Sequence, residues 1–181
     1  MLKQVPEVIV GAQWRLRRST VADAQAVFDV AHDPEVMRYM DWPAHRSVAD
    51  ARAYLEGVAG RWVAGSEYHW VIEPRSGGPL VGCIATRVQG HAADFGYFVA
   101  RAAWGQGVAT AAGRLLVDWL ERQPSVLRIW ATTDADNLAS ARVLEKLGLQ
   151  KEGVLRLATW RPNLGGRPRD TAIYARCKST T

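Results

Sequence analysis

The chain has 181 residues, 48% of them apolar, and a formal net charge of +5. That length supports one domain over residues 1–181 with a full core and argues against two full domains. No stretch is apolar over a membrane-spanning length and no signal-like apolar segment opens the chain, which excludes a membrane partner and makes the cytoplasm the expected location.

In chain order, Trp14-Arg15-Leu16-Arg17 alternates as a strand. Thr20-Val21-Ala22-Asp23 has the form of a capping box that opens a helix through Ala31. Asp33-Pro34 starts a short helical piece ending near Met40, and a Trp42-Pro43 loop follows over residues 41–46. Ser47-Val48-Ala49-Asp50 is a second capping box, opening a helix to about Trp62. Tyr68 to Glu73, Leu80 to Val88 and Ala92 to Ala100 read as strands whose short turns predict an antiparallel meander.

Ala111 to Arg122 is amphipathic and stops at Pro124. The β-rich run Val126 to Thr132 then lies parallel to the preceding strand, because a helical crossover joins them. Asp136 or Asn137 caps the next helix, which ends at Lys146-Leu147-Gly148, with Gly148 as a left-handed C′ residue and Leu149 as its apolar contact. Leu149 to Leu157 and Thr171 to Cys177 are the last strands, separated by turn residues 162–168. Cys83 and Cys177 both fall in strands and read as small core residues, with no disulfide framework or metal cluster. The charge is scattered over Arg15, Arg17, Arg18, Arg156, Arg161, Arg167 and Arg169. It reads as a basic surface, or as attraction to a polyanionic cofactor or an acidic partner such as the ribosome, and not as a nucleic-acid tail. The fold class is α+β.

The most informative stretch is Trp104-Gly105-Gln106-Gly107-Val108-Ala109-Thr110. A strand, a loop with side-chain-free positions and a helix N-terminus leave unpaired N–H groups at the positive end of a helix dipole. That arrangement binds phosphate or pyrophosphate. A P-loop is excluded, since no Gly-x-x-x-x-Gly-Lys-[Ser/Thr] run exists. A dinucleotide-binding turn fits poorly: Thr110 stands where its last glycine is required, about five residues separate strand from first glycine, and the upstream strands form an antiparallel meander.

Trp104-Gly105-Gln106-Gly107-Val108-Ala109 resembles the [Arg/Gln]-x-x-Gly-x-[Gly/Ala] acetyl-CoA motif of the GNAT superfamily of N-acetyltransferases, with Trp at the first position. Trp-Gly-x-Gly-x-Ala-Thr is typical of the ribosomal-protein N-terminal acetyltransferases and their relatives. The resemblance continues through Asn137-Leu138-Ala139-Ser140, Glu145-Lys146-Leu147-Gly148, Glu152-Gly153-Val154-Leu155-Arg156 and Arg169-Asp170-Thr171-Ala172-Ile173-Tyr174-Ala175, with Trp42-Pro43 and Val81-Gly82 upstream. It implies a mixed, mostly antiparallel central sheet with one splayed parallel strand pair and helices on both faces. It also implies acetyl transfer from acetyl-CoA to a primary amine, at a protein N-terminus or on a small molecule, by direct attack in a ternary complex without a metal. A homodimer stays open.

Under this resemblance the cofactor meets main-chain atoms of Phe98, Val99 and Ala100 on the splayed strand, one amide serving as a small oxyanion hole. It then meets Trp104, Gly105, Gln106, Gly107, Val108, Ala109 and Thr110 in the loop, and Asn137 and Ser140 on the following helix. Ala109, Ala112 and Gly113 share a helix face and permit close packing. Asp94 is the candidate general base, a carboxylate in an otherwise apolar run at a strand position where several members carry Glu. Being one methylene shorter, it would act through a water. The plainer alternative is a carboxylate satisfied by an Arg or a backbone donor at the sheet edge.

Ser140, near the cofactor sulfur in the resembling branch, would protonate the thiolate, and Asn137 would contact the pantetheine arm, its plainer alternative being a helix cap. The tyrosine that many members place further along is replaced by Leu144, and Tyr97 and Tyr174 are fallback acids. The acceptor pocket is expected between the early helices and the late strands, lined by Trp42, His45, Arg46 and Trp160. The branch's acid after the Glu-Gly-x-Leu-Arg motif has no counterpart in Leu157-Ala158-Thr159-Trp160. A small-molecule or antibiotic acetyltransferase and a non-catalytic acyl-CoA sensor therefore remain open.

Overall fold

The computed structural model describes residues 5–178; residues 1–4, where most of the N-terminal reading falls, and residues 179–181 lie outside it. Eight strands make one sheet: β1 (Val8–Val10), β2 (Trp14–Arg18), β3 (Tyr68–Pro74), β4 (Gly82–Gln89), β5 (Ala92–Val99), β6 (Arg128–Asp134), β7 (Gln150–Thr159) and β8 (Arg169–Cys177). Their spatial order is β1-β2-β3-β4-β5-β6-β8-β7. The helices are α1 (Ala24–Ala31), α2 (Pro34–Met37), α3 (Val48–Ala64), α4 (Val108–Glu121) and α5 (Leu138–Lys146). The expected meander is β3-β4-β5, and β5–β6 is the parallel pair, joined through α4. Strand β1 escapes the sequence reading because it is only three residues long and shows two of its apolar side chains, Val8 and Val10, to solvent.

Alternation along the central strands feeds two cores. Tyr68, Trp70 and Ile72 of β3 pack with Phe95 of β5, Leu116 of α4 and Leu144 of α5. The intervening Val71, with Cys83 and Phe98, packs against Val27 of α1 and Leu55 of α3 on the opposite face. Both faces of the sheet are therefore apolar and both are covered by helices. Cys83 is buried as expected, but Cys177 is exposed. It closes β8 beyond the helical cover, its sulfur 3.7 Å from Arg128 Nη1, so the core reading holds for Cys83 and is corrected for Cys177.

Helix ends follow the local chemistry. Ser47 Oγ accepts from the Asp50 N–H while the Asp50 carboxylate accepts from the Ser47 N–H, a complete capping box at α3. The first box, at Thr20 and Asp23, opens a 3₁₀ turn over Val21–Asp23 before α1 begins. Gly148 is left-handed at φ 80°, and the N–H groups of Gly148 and Leu149 return to Glu145 O and Leu144 O at 2.9 and 3.1 Å, the double closure expected of a Schellman end. Helix α4 starts at Val108, ahead of the amphipathic run, because Gly107 takes the N-cap with φ 75°.

One irregularity positions the site. Strands β5 and β6 pair only from Ala92–Asp94 against Arg128–Trp130. Beyond that rung β5 stays with β4 as far as Val99, and β6 stays with β8 as far as Asp134. The sheet opens as a fork between them.

Candidate active site at the fork

A cleft of about 660 Å³ occupies the fork, lined by residues 95–99 of β5, 131–133 of β6, the glycine loop with the first turn of α4, the inner face of α5, and residues 35–36 and 38–41 around α2. The loop that closes it is built from conformations few residues tolerate. Gly105 and Gly107 both sit at φ 75°, a left-handed backbone open to glycine at little cost. A Cβ at either would meet no protein atom within 4 Å. Side chains brace the loop from outside: Trp104 Nε1 donates to Val99 O at 2.8 Å, and Gln106 Nε2 donates to Ala102 O at 2.9 Å.

Among the described residues, no protein acceptor meets the N–H groups from Gly105 to Thr110. The first helical closure is Ala111 N–H to Gly107 O, at 2.9 Å. Orphan amides at the positive end of a 14-residue helix make an anion cradle, and the open space above the two glycines lets a diphosphate approach the backbone. The residues present fit the phosphates of coenzyme A.

The strand edge is more selective than the sequence suggests. Ala100 N–H is spent on Val81 O at 2.7 Å. Residues of a strand alternate in direction, so Phe98 turns the same way as Ala100, toward β4, while Tyr97 and Val99 turn their N–H groups to the fork. Of the three residues expected to meet the cofactor through main-chain atoms, Phe98 and Val99 line the cleft, whereas Ala100 does not and spends its N–H on the sheet. Behind this strand Gly82 pairs with Val99 so closely that an added Cβ would collide with Phe98 O.

Across the fork, the Ser140 and Tyr97 hydroxyls are 3.0 Å apart and both residues line the cleft. Burial pushes the Tyr97 phenol up to about 12, the bond to Ser140 working the other way. Asn137 does cap α5, its Oδ1 accepting from Ser140 N–H at 3.1 Å, and it also lines the cleft. The cap therefore orients the residue carrying the hydroxyl. Leu144, where other members have tyrosine, is buried. Tyr174 is buried in the core away from the cleft lining. Gly113 brings α4 against Leu147, where an added Cβ would come within 2.6 Å of Cδ1.

Asp94 sits on the last paired rung below the fork, opposite Trp130. Its carboxylate is gripped by Arg87, with Nε at 3.1 Å from both oxygens and Nη2 at 2.7 Å from Oδ2, and it accepts from the Arg87 N–H at 3.2 Å. Arg87 lines the cleft and Asp94 does not. This is a carboxylate held by an arginine across two central strands, outside the cleft lining.

The acceptor side departs furthest from expectation. None of Trp42, His45, Arg46 and Trp160 is in the cleft lining. Trp42 stacks on Tyr54 with centroids 5.3 Å apart, meets Phe98 edge-on at 5.9 Å and lies 5.1 Å from His45. This aromatic group backs the wall that Phe98 presents. His45 is buried, which lowers its pKa, and its Nδ1 has no hydrogen-bond partner among the described residues. Arg46 is exposed, and its N–H serves the Asp50 carboxylate. Trp160 is 61% exposed; as the chain leaves β7 it turns outward and its neighbour Arg161 turns in. The lining instead takes Glu35, Arg38, Tyr39, Met40, Asp41, Arg87 and Arg161. The Asp33-Pro34 helix start was the available signal for the first of these; nothing in the sequence marks Arg161 among so many arginines.

Asn163 fastens this wall. Its Nδ2 donates to Met37 O and Trp42 O at 2.7 and 2.8 Å, and its Oδ1 accepts from Ala44 N–H at 2.8 Å.

A sheet forked at its parallel pair, facing a row of unspent amides, makes a cleft suited to a phosphorylated carrier. A family model described as an acetyltransferase (GNAT) domain matches residues 13–150. YoaA of Bacillus subtilis (strain 168), an uncharacterized N-acetyltransferase, is 32% identical over 163 residues, covering 88% of this chain and 90% of its own. Two solved structures are similar in fold. RimL, a ribosomal L7/L12 alpha-N-protein acetyltransferase in complex with coenzyme A, has a TM-score of 0.84 at 22% identity, over 94% of this chain and 98% of its own. The microcin C7 self-immunity acetyltransferase MccE, in complex with acetyl-CoA and AMP, has a TM-score of 0.83 at 20% identity, over 93% and 94%. The chain belongs to the GNAT acetyltransferase family and is an acetyl-CoA-dependent N-acetyltransferase.

Proposed function

We propose that this enzyme moves the acetyl group to a primary amine by direct attack within a ternary complex, the amine being a protein N-terminus or a small molecule. The observation that carries this reading is the unspent N–H row from Gly105 to Thr110 facing an open parallel fork. Acetyl-CoA supplies an activated thioester carbonyl. The loop amides, with Arg142 and Lys146 also in the cleft lining, hold phosphates. Val99 N–H, turned to the fork, polarises the thioester oxygen, a contribution of about 10²–10³ in rate for one well-placed donor.

The amine nitrogen attacks the carbonyl carbon, the C–N bond forms, the C–S bond breaks, and the ammonium proton leaves while the thiolate gains one. Ser140 supplies the latter, its hydroxyl held by Tyr97. Asp94 is assigned to holding Arg87. Proton exit runs through water toward Asp41, a cleft-wall carboxylate with no side-chain hydrogen bond or ion pair among the described residues.

The test combines binding and turnover. Acetyl-CoA should raise the melting temperature, with NAD and ATP giving smaller shifts, and a panel of primary amines should yield acetylated product. Gly107→Val, which blocks the cradle and strains the left-handed backbone, should abolish the acetyl-CoA shift. Equal shifts from all three nucleotides, or a Gly107→Val protein that still binds acetyl-CoA normally, would remove the loop from the site. Asp41→Asn should slow turnover at neutral pH more than Asp94→Asn; the reverse order would return the base role to Asp94.

A further inference from the structure

Arg161 is a buried cation on the acceptor wall that the acetyl-transfer chemistry does not use. Its side chain is 7% exposed, it lines the cleft, and its Nε is enclosed without a hydrogen-bond partner among the described residues. The nearest carboxylate, Asp134, stays 3.9 Å from that Nε. Asp134 is already committed, accepting from Arg169 at 2.6 and 3.1 Å and from Asp136 N–H at 3.0 Å. The other arginines of this wall are matched: Arg87 with Asp94 at 2.7 Å, Arg38 with Glu35 at 3.6 Å.

Withdrawing a guanidinium from water is unfavourable unless hydrogen bonds and a counter-charge replace the lost hydration. Its planar donor fork suits a carboxylate. Asp41, exposed on the same wall, adds a negative charge with no paired side chain among the described residues. A single ligand bearing an ammonium and a carboxylate would complete both groups.

We propose that the acceptor is an amine carrying a carboxylate close to its amino group, which Arg161 binds while Asp41 draws the ammonium. The inference rests on the acetyl-transfer reading above. The carboxylate belongs either to a free amino acid or to an acidic residue at a peptide N-terminus.

Matched substrate pairs separate these sources and test the claim: free amino acids against their amides, and peptides beginning with Glu or Asp against those beginning with Gln or Asn. The wild-type enzyme should favour the acid in at least one pair by about 10-fold or more in kcat/KM, the scale of one charge-assisted hydrogen bond. Arg161→Gln should erase that preference and Arg161→Lys should keep part of it, with acetyl-CoA affinity measured on each variant to establish that it is folded. Equal rates within every pair, or a preference that survives Arg161→Gln, would overturn the inference while leaving acetyl transfer intact. Acetyl-CoA binding without turnover of any amine would instead sink the transfer reading, and this inference with it.

Discussion

Ser140 gains its position from two unlike neighbours. Asn137, by capping α5, fixes the first turn on which the serine sits, and Tyr97 reaches across the fork to its hydroxyl. A phenol held near pKa 12 by burial stays protonated through the working pH range, so it can donate to Ser140 Oγ as that oxygen hands its own proton to sulfur. Ser140→Ala should therefore lower kcat by about 10², in the range of lost general acid catalysis, with acetyl-CoA affinity nearly unchanged. Tyr97→Phe should lower it by a smaller factor. Steady-state kinetics beside calorimetric titration of acetyl-CoA checks both, and an unaltered kcat in Ser140→Ala would exclude the serine. Asp94 teaches the opposite lesson. Its carboxylate looked isolated in an apolar run, but the hairpin register sets Arg87 directly across from it.

Among the elements, the α2–α3 loop and the residue 160–168 turn matter most for the acceptor, and each is shaped by the other. Asn163 bonds to the last carbonyl of α2 and to two main-chain groups of the loop, so the late turn holds the early helices against the cleft. Asn163→Ala leaves Trp42 O and the Ala44 N–H without that partner, while Met37 O keeps the Met40 N–H, and the expected cost is about 1–3 kcal/mol, measurable by urea denaturation. Because the loop also carries Met40 and Asp41 on the cleft wall, KM for the amine should rise while acetyl-CoA affinity holds. An unchanged KM would show that the wall keeps its shape without the clamp. Elements of strong local chemistry were legible in advance: the Ser47–Asp50 box, the Gly148 end and the glycine loop each encode their own geometry within a few residues. The β1 edge and the outward turn of Trp160 were not, since a three-residue strand and an exposed aromatic leave no local pattern.

For the molecule as a whole, two cores on opposite faces of one sheet bury groups that a smaller fold would leave wet. His69 lies on β3 facing α3, its Nδ1 2.9 Å from Ser19 Oγ and its ring edge-on to Tyr54. Burial pushes its pKa down from 6.5 to about 3. The unfolded chain therefore binds a proton that the folded chain refuses over this interval. The contribution to stability is complete above about pH 6.5 and declines by about 1.4 kcal/mol per pH unit as pH falls toward 3. Denaturation midpoints between pH 7 and 4 should show this slope, and His69→Gln should flatten it; an equal slope in the variant would assign the acid sensitivity to other groups.

The sequence by itself determined the α+β class, the meander and crossover, and the anion-binding loop. Periodicity, caps and positive-φ glycines act over a few neighbouring residues and are written in their order. Tertiary structure alone decided which charges are free. Ion pairs and hydrogen bonds join residues far apart in the chain, such as Arg169 with Asp134 and Asn163 with Met37, and among the described residues that pairing leaves Arg161 buried with its Nε unspent. The choice of acceptor rests on this remainder of long-range pairing, which no local pattern records.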